Sequence, residues 1–260
     1  MKIFIIGDIF GEPGRQAVKK GLPEVIQEHK VDFVIANCEN AAHGRGVTPK
    51  IADDFFAQKI NVLTSGNHIW DQREIIPYLN QNNRLLRPAN YPPGVPGVGY
   101  GIFDDYLGIR VGVINLEGNI FLSPKDCPFR KVDAILEEWK GKTDLVVVDM
   151  HAEVTSEKRG MGWYLNGRVA AVVGTHTHVQ TADEEVLNKG TAYLSDLGMT
   201  GPHNSVIGLK TEIAHYKFLK KMPHAFEVAE GDMRLHGAII EVDERTGRAE
   251  KIQRIQKKIS

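Results

Sequence analysis

The chain has 260 residues, 42% of them hydrophobic and 25% charged, which is ordinary for a globular protein and long enough for a sizeable core. Its formal net charge of −1 argues against non-specific binding to nucleic acid or to an anionic membrane as its main activity. The two cysteines, Cys38 and Cys127, do not make a disulfide framework and fit a reducing compartment.

We expect a cytoplasmic protein, because the apolar run near the N-terminus is too short for a signal peptide. No stretch approaches the ~18 consecutive apolar residues of a membrane span. No internal repeat or low-complexity tract divides the chain, which predicts a single domain over residues 1–260.

Apolar runs alternate with helical patterns in the first third of the chain. Buried strands are predicted at residues 3–6, 32–37 and 61–64. Helices are predicted at residues 15–29, 48–58 and 71–79. Pro23 is a candidate kink or break in the first helix, and Asp71 is a candidate N-cap of the third.

The remaining two thirds begin with a loop rich in proline and glycine at residues 87–99. Strands are predicted at residues 100–106, 110–115, 145–149, 169–173, 191–194 and 237–242, the first two as a hairpin. Helices are predicted at residues 133–139 and 156–165. The C-terminal isoleucines at 252, 255 and 259 are spaced for an edge strand or a short helix.

Strands that alternate with helices predict an α/β protein with parallel strands, and the hairpins of the second half predict mixed sheets. Five predicted strands end in side chains that can bind a metal or transfer a proton. They are Asp8, Glu39 with Asn40, Asn67 with His68, His151, and His176 with His178. Because ligands of open α/β sheets bind outside the carboxyl ends of the strands, we expect these side chains to converge.

The donor set exceeds what one four-coordinate zinc needs and suits manganese, iron or zinc. Two ions need a bridge, which a carboxylate can provide. The sequence has no recognisable serine or cysteine nucleophile elbow, which is consistent with water as the nucleophile. Cys38 follows an apolar strand and is interpreted as a small buried residue rather than as a catalytic thiol.

The motifs at these strand ends resemble the calcineurin-type metallophosphoesterases, and more closely their YmdB-like bacterial branch. The matching stretches cover nearly the whole chain: Gly7-Asp8, residues 39–44, Gly66-Asn67-His68, residues 87–90, residues 151–158, residues 174–180 and residues 199–202. The broader superfamily has Asp-x-His at the first strand, where this chain has Asp8-Ile9-Phe10, and a bridging Asp, where this chain has Glu39. Both departures match the YmdB-like branch.

The resemblance implies a sandwich of two mixed β-sheets flanked by helices and a dinuclear phosphodiesterase acting on 2',3'- or 3',5'-cyclic nucleotides through a metal-bridging hydroxide. Alternatives are a phosphomonoesterase or nucleotidase with the same metal pair, and a regulatory binding protein that retains the metals. The expected partner is a nucleotide-type phosphodiester, without stable nucleic-acid or membrane binding. A homo-oligomer is compatible with the sequence.

The resemblance also implies a role for each residue. The first metal would be bound by Asp8, Glu39, Asn40 and His178, and the second by Glu39, Asn67, His151 and His176. Glu39 would bridge the two ions, with iron or manganese preferred and zinc as an alternative. His68 would act as the general acid or as a donor to the phosphoryl oxygen. For His43 and Arg45, a solvated loop and a rim that contacts the substrate are weighed equally.

Overall fold

The computed structural model describes all 260 residues, which form thirteen strands and six helices. In the first half these are β1 (Lys2–Ile6), β2 (Asp8–Ile9), α1 (Gly11–His29), β3 (Phe33–Asn37), α2 (Pro49–Ala57), β4 (Val62–Thr64), α3 (Ile75–Leu79), β5 (Tyr100–Asp104), β6 (Arg110–Glu117) and α4 (Pro128–Glu138). In the second half they are β7 (Leu145–His151), α5 (Thr155–Tyr164), β8 (Ala171–Thr175), β9 (Glu185–Val186), β10 (Ala192–Leu194), β11 (Met199–Pro202), α6 (Thr211–Lys220), β12 (Met233–Asp243) and β13 (Arg248–Lys258). No helix combines the length and the apolar character that crossing a membrane requires.

The strands form two mixed sheets. The first has seven strands in the order β2-β11-β12-β1-β3-β4, with β13 paired to β12, and the second has six in the order β5-β6-β7-β8-β10-β9. The neighbours β1, β3 and β4 run parallel, as do β6, β7, β8 and β10. The carboxyl ends of these parallel strands therefore lie at one edge of each sheet.

The two sheets pack face to face, and helices cover their outer faces. In β1, Ile3 and Ile5 belong to a core cluster that also contains Val147 and Val173 of the second sheet. Phe4 and Ile6 point the other way and pack with residues of α1 and α2, as the two-residue period of a strand requires. A third cluster joins the outer face of the second sheet to α4 and α5. This arrangement confirms the predicted sandwich of two mixed sheets flanked by helices.

Several element bounds differ from those predicted. Helix α1 begins four residues early, at Gly11, and Pro23 lies inside it without ending it. The predicted helix over residues 71–79 is reduced to α3, and Asp71 is not its N-cap. The C-terminal isoleucines belong to, or directly follow, the long strand β13, which pairs antiparallel with β12. Helix α6 has no counterpart among the predicted elements.

Candidate metal centre and active-site cleft

The side chains predicted to bind metal come together where the two sheets meet. Asp8 lies in β2, and Glu39, Asn40 and Asn67 follow β3 and β4 of the first sheet. His151 ends β7, and His176 and His178 follow β8 of the second sheet. The carboxyl ends of parallel strands thus present donors from both sheets to one cleft, as expected for an α/β protein.

One group of donors surrounds the inner end of the cleft. Ligand atoms of Glu39, His151 and His176 all lie within 4.8 Å of one another. Glu39 Oε1 is 3.2 Å from His151 Nε2, and Asn67 Oδ1 is 3.1 Å from the same nitrogen. Two imidazoles, a carboxylate and an amide oxygen are ligands that borderline transition metals accept, so this group fits a cation.

A second group of donors lies beside the first. His178 Nε2 is 3.3 Å from Asn40 Oδ1 and 3.9 Å from Asp8 Oδ1. Asp8 is fully buried, and its Oδ1 accepts no hydrogen bond. Because an unpaired buried carboxylate oxygen is costly, this atom also fits a cation.

The charges in the cleft depend on one another. Burial raises the pKa of the Asp8 carboxyl to about 6. Burial acts against charge on Glu39 and His151 too, but their contact lowers the pKa of Glu39 to about 2 and raises that of His151 to about 9. Burial, reinforced by His151, lowers the pKa of His176 to about 3. A metal ligand must be deprotonated, so a cation would replace the proton that His151 shares with Glu39.

The orientation of His151 is fixed by buried groups behind it. Thr175 Oγ1 is 2.9 Å from His151 Nδ1, and the Thr175 hydroxyl donates to Asp149 Oδ1 at 2.7 Å. The Thr175 oxygen therefore accepts from Nδ1–H, and Nε2 faces Glu39. Thr64 donates to the other oxygen of Asp149 at 2.5 Å. Such outer hydrogen bonds fix the tautomer of a metal-binding histidine.

The loop that carries His176 and His178 has an unusual backbone. Both residues have positive φ angles, 96° and 65°, which cost energy in a non-glycine residue. Asp196 Oδ2 accepts hydrogen bonds from the backbone and the hydroxyl of Thr177 at 3.1 and 2.7 Å. Lys158 Nζ, also buried, lies 2.7 Å from the same oxygen. This buried ion pair holds the loop in its strained conformation.

His68 lies on the open side of the cleft. Its backbone N–H donates to Glu39 Oε2 at 3.1 Å, and its Nδ1 is 2.9 Å from Asp71 Oδ2. The side chain is 26% exposed, so its Nε2 is free to meet a ligand. Asp71, predicted to be a helix cap, instead orients this ring.

Two further predictions concern the surroundings of Glu39. Cys38 is fully buried, its thiol donates to the Thr64 carbonyl at 3.3 Å, and burial raises its pKa, which confirms a structural residue. Arg45 lines the cleft, whereas His43 lines a neighbouring cavity with Glu12 and Gln16. That neighbouring cavity is larger, about 480 Å³, but none of the converging donors opens into it.

The cleft itself has a volume of about 240 Å³, and its lining includes both polar and apolar side chains. Glu39, Asn40, His68, His176 and His178 form the polar side. The apolar part of the lining, which we call the apolar side, consists of Phe10, Val206, Ile207, Leu209, Ala214, Phe218 and Phe226. Sequence reasoning missed this apolar side, because most of it comes from a stretch without a clear period, far along the chain from the ligands. Glu153 was also missed; its Oε2 lies 3.1 Å from His176 Nε2.

The chain is similar to known proteins over nearly its whole length. The model of the YmdB-like protein family matches residues 4–255. The 2',3'-cyclic-nucleotide 2'-phosphodiesterase of Bacillus subtilis (strain 168) is 46% identical over 255 residues, which cover 98% of this chain and 96% of that protein.

Two solved structures have nearly the same fold. A hypothetical protein from Thermus thermophilus superposes with a TM-score of 0.93 at 40% identity and covers 99% of both chains. A novel phosphatase from Mycoplasma pneumoniae superposes with a TM-score of 0.93 at 32% identity, covering 99% of this chain and 93% of that one. The similarity therefore includes both sheets and every strand end that contributes to the cleft.

Proposed function

The chain belongs to the YmdB-like family, and from that membership we propose that it is a metal-dependent phosphodiesterase that hydrolyses nucleoside 2',3'-cyclic phosphates. The observation that supports the proposal is that Glu39 and its chain neighbour Asn40 each take part in one of two adjacent groups of donors. Glu39 Oε1 lies 3.2 Å from His151, while Asn40 lies 3.3 Å from His178. We propose that the Glu39 carboxylate bridges two ions, one at each group.

In this proposal each ion has four protein ligands. The first ion would be bound by Asp8, Glu39, Asn40 and His178, and the second by Glu39, Asn67, His151 and His176. Iron or manganese suits this mixture of imidazole, carboxylate and amide oxygen, with zinc as the alternative. When bound, the ions supply Lewis acidity toward the phosphoryl oxygens and make a water nucleophilic at neutral pH.

The chain's own residues donate a proton to the leaving group and contact the charged phosphate of the substrate. Water adds to phosphorus, the bond between phosphorus and O2' breaks, and the product is a nucleoside 3'-phosphate. His68 Nε2, with Nδ1 held by Asp71, gives its proton to the departing O2'. Arg45 contacts the phosphate at the rim, and a contact from His43 stays a prediction.

Three broader expectations remain predictions. They are a cytoplasmic location, a homo-oligomeric assembly and a single domain over residues 1–260. The net charge of −1 supports a free nucleotide rather than a nucleic acid as the substrate.

The proposal is tested by incubating the protein with manganese and a panel of phosphate esters. The panel contains nucleoside 2',3'-cyclic phosphates, nucleoside 3',5'-cyclic phosphates and nucleoside monophosphates. We expect rapid conversion of the 2',3'-cyclic compounds to 3'-phosphates and much slower turnover of the others. Glu39→Gln should lose this activity, whereas Glu185→Gln, a change of an exposed carboxylate far from the donors, should keep it.

The other outcomes identify the competing functions. Faster turnover of monophosphates would make the protein a nucleotidase, and preference for 3',5'-cyclic compounds would change the substrate class. If no ester were hydrolysed by protein that retains its metal, the diesterase proposal would be abandoned in favour of a regulatory binding protein.

A further inference from the structure

The apolar side of the cleft contains two phenylalanines that a metal site does not need. Phe218 of α6 is 63% exposed, and Phe226 lies in the segment that follows α6. Phe226 packs against Phe10 with ring centroids 5.9 Å apart, and Phe10 meets the ligand His178 edge-on at 5.4 Å. We call Phe218 and Phe226 the aromatic wall. It lines the same cavity of about 240 Å³ as the proposed metal ligands.

The position of Phe226 depends on glycine at residue 44. A β-carbon at Gly44 would lie 2.4 Å from Phe226 Cε1, and Gly44 has a positive φ of 89°. The carbonyl of the same glycine accepts a hydrogen bond from Asn40 Nδ2 at 3.1 Å. Phe226 therefore packs against the loop that carries a proposed metal ligand.

Two cations flank the aromatic wall. The Arg45 guanidinium carbon lies over the ring of Phe226, 5.3 Å from its centroid, and Lys217 Nζ lies over the same ring at 5.9 Å. The 63% exposed ring of Phe218 is therefore the one left open for a base. Both side chains line the cleft, and neither forms an ion pair with a carboxylate of this chain. An aromatic face with unpaired positive charge beside it suits a ligand that is flat and apolar at one end and anionic at the other.

Resting on the proposed function, we infer that the aromatic wall binds the nucleobase of the substrate, with Arg45 and Lys217 on its anionic side. Because the proposed metal ligands and the aromatic wall line one cavity, a nucleotide whose phosphate lies at the metals can place its base against the wall. Stacking on an aromatic ring accepts every base, so the wall sets affinity for nucleotides without selecting among them.

The inference is tested by kinetics on protein purified with its metal. Adenosine 2',3'-cyclic phosphate is compared with methyl riboside 2',3'-cyclic phosphate, which lacks the base. Phe218→Ala should raise KM for the adenosine compound about 5- to 150-fold, the range of one base–aromatic stack, and leave the base-free compound unchanged. Phe218→Trp should restore the affinity. Leu219→Ala, which removes a 79% exposed side chain from the same helix outside the cavity, is the matched control.

Phe226→Ala should act in the same way, and its metal content is measured because Phe226 touches Phe10 beside His178. Equal losses on both compounds, or no loss on either, would overturn the inference while leaving the diesterase function intact. Light scattering separates a further case: if Phe218→Ala and Leu219→Ala both dissociated an oligomer without changing KM, the surface would be an interface between copies of the chain.

Binding of a product separates the inference from the proposed function. Calorimetry with adenosine 3'-phosphate and with ribose 3-phosphate requires no turnover. The wild-type protein could hydrolyse no ester and still bind adenosine 3'-phosphate more tightly than ribose 3-phosphate. If Phe218→Ala then lost that preference, the base site would be supported and the diesterase function would be rejected. Equal binding of both compounds would overturn the base site.

Discussion

His68 combines exposure to the cleft with a hydrogen bond that orients its ring, since its Nδ1 is 2.9 Å from Asp71. A general acid matters most for a poor leaving group, and it contributes ~10²–10⁴-fold. His68→Ala should therefore slow hydrolysis of a nucleoside 2',3'-cyclic phosphate by about that factor and slow a nitrophenyl diester much less. Steady-state kinetics on both substrates, with metal analysis of the same samples, measures the difference.

Asp71→Asn is the companion variant, because it keeps the shape but weakens the orientation of the ring, and it should give a smaller loss with the same preference. If His68→Ala slowed both esters equally at full metal content, His68 would be an electrostatic stabiliser of the phosphoryl oxygens rather than an acid. Loss of metal would instead make it a ligand or a structural residue.

Single residues were predictable where their chemistry is visible in the sequence. Asp8, Glu39 and His151 follow or end apolar runs, so the type and the position of each residue pointed to the cleft. Asp71 was predicted only as a helix cap and Glu153 was given no role, because their contacts with His68 and His176 depend on the three-dimensional structure. No local pattern distinguishes an aspartate that caps a helix from one that orients a histidine three residues away.

The loop after β4 passes close to the metal ligands because residue 66 is a glycine. A β-carbon there would lie 2.2 Å from His151 Nε2 and 2.4 Å from Glu39 Oε2. Both atoms are the ends of side chains, so Gly66→Ala should fold while moving the two ligands apart. We expect at least the 10–100-fold loss of metal affinity or activity typical of a disturbed outer shell, measured by elemental analysis and by kinetics.

Gly160→Ala is the matched control, since the nearest atom to a β-carbon there is Phe129 Cζ at 3.7 Å. It lies in α5, where alanine is favoured over glycine by about 0.5–1 kcal/mol, so its stability should rise slightly and its metal content stay unchanged. Full metal content in Gly66→Ala would mean that the donors do not need the close approach described above.

Elements were predictable where burial is continuous. Strands β3, β7 and β8 are buried along their whole length, and β1 is buried after Lys2, so the corresponding apolar runs were predicted as strands. The two-residue strands β2 and β9 leave too few residues for any period, so neither was predicted. Helix α6 buries little of its surface, which explains both the missed prediction and the exposed Phe218.

At the scale of the whole molecule, the metal donors belong to both sheets. Asp8, Glu39 and Asn67 come from the first sheet, and His151 and His176 from the second. The class of the fold followed from the alternation of elements, and the two-sheet sandwich followed from the family resemblance. The packing of the two sheets depends on long-range contacts, such as that of Ile3 with the second sheet, which a strand's own pattern does not encode.

Because donors from both sheets share the cleft, bound cations should tie the two halves of the sandwich together. Burial is the main cause of the raised pKa of Asp8, and the nearby charge of Glu39 adds to it, so a cation relieves both. Removing the cations should therefore destabilise the protein, by about 2.7 kcal/mol for each site that had been filled at a hundred times its Kd. At ~2–4 °C per kcal/mol for a chain of roughly this size, the expected fall in Tm is at least about 5 °C per ion.

Differential scanning calorimetry before and after chelation measures that fall, and stepwise return of manganese should restore Tm with saturation at two equivalents per chain. Glu39→Gln should begin near the Tm of the chelated protein and respond weakly to added metal, because it lacks the charge proposed to bridge the two ions. Saturation at one equivalent would refute the dinuclear proposal. If chelation abolished activity but left Tm unchanged, the cations would act in catalysis without stabilising the packing of the two sheets.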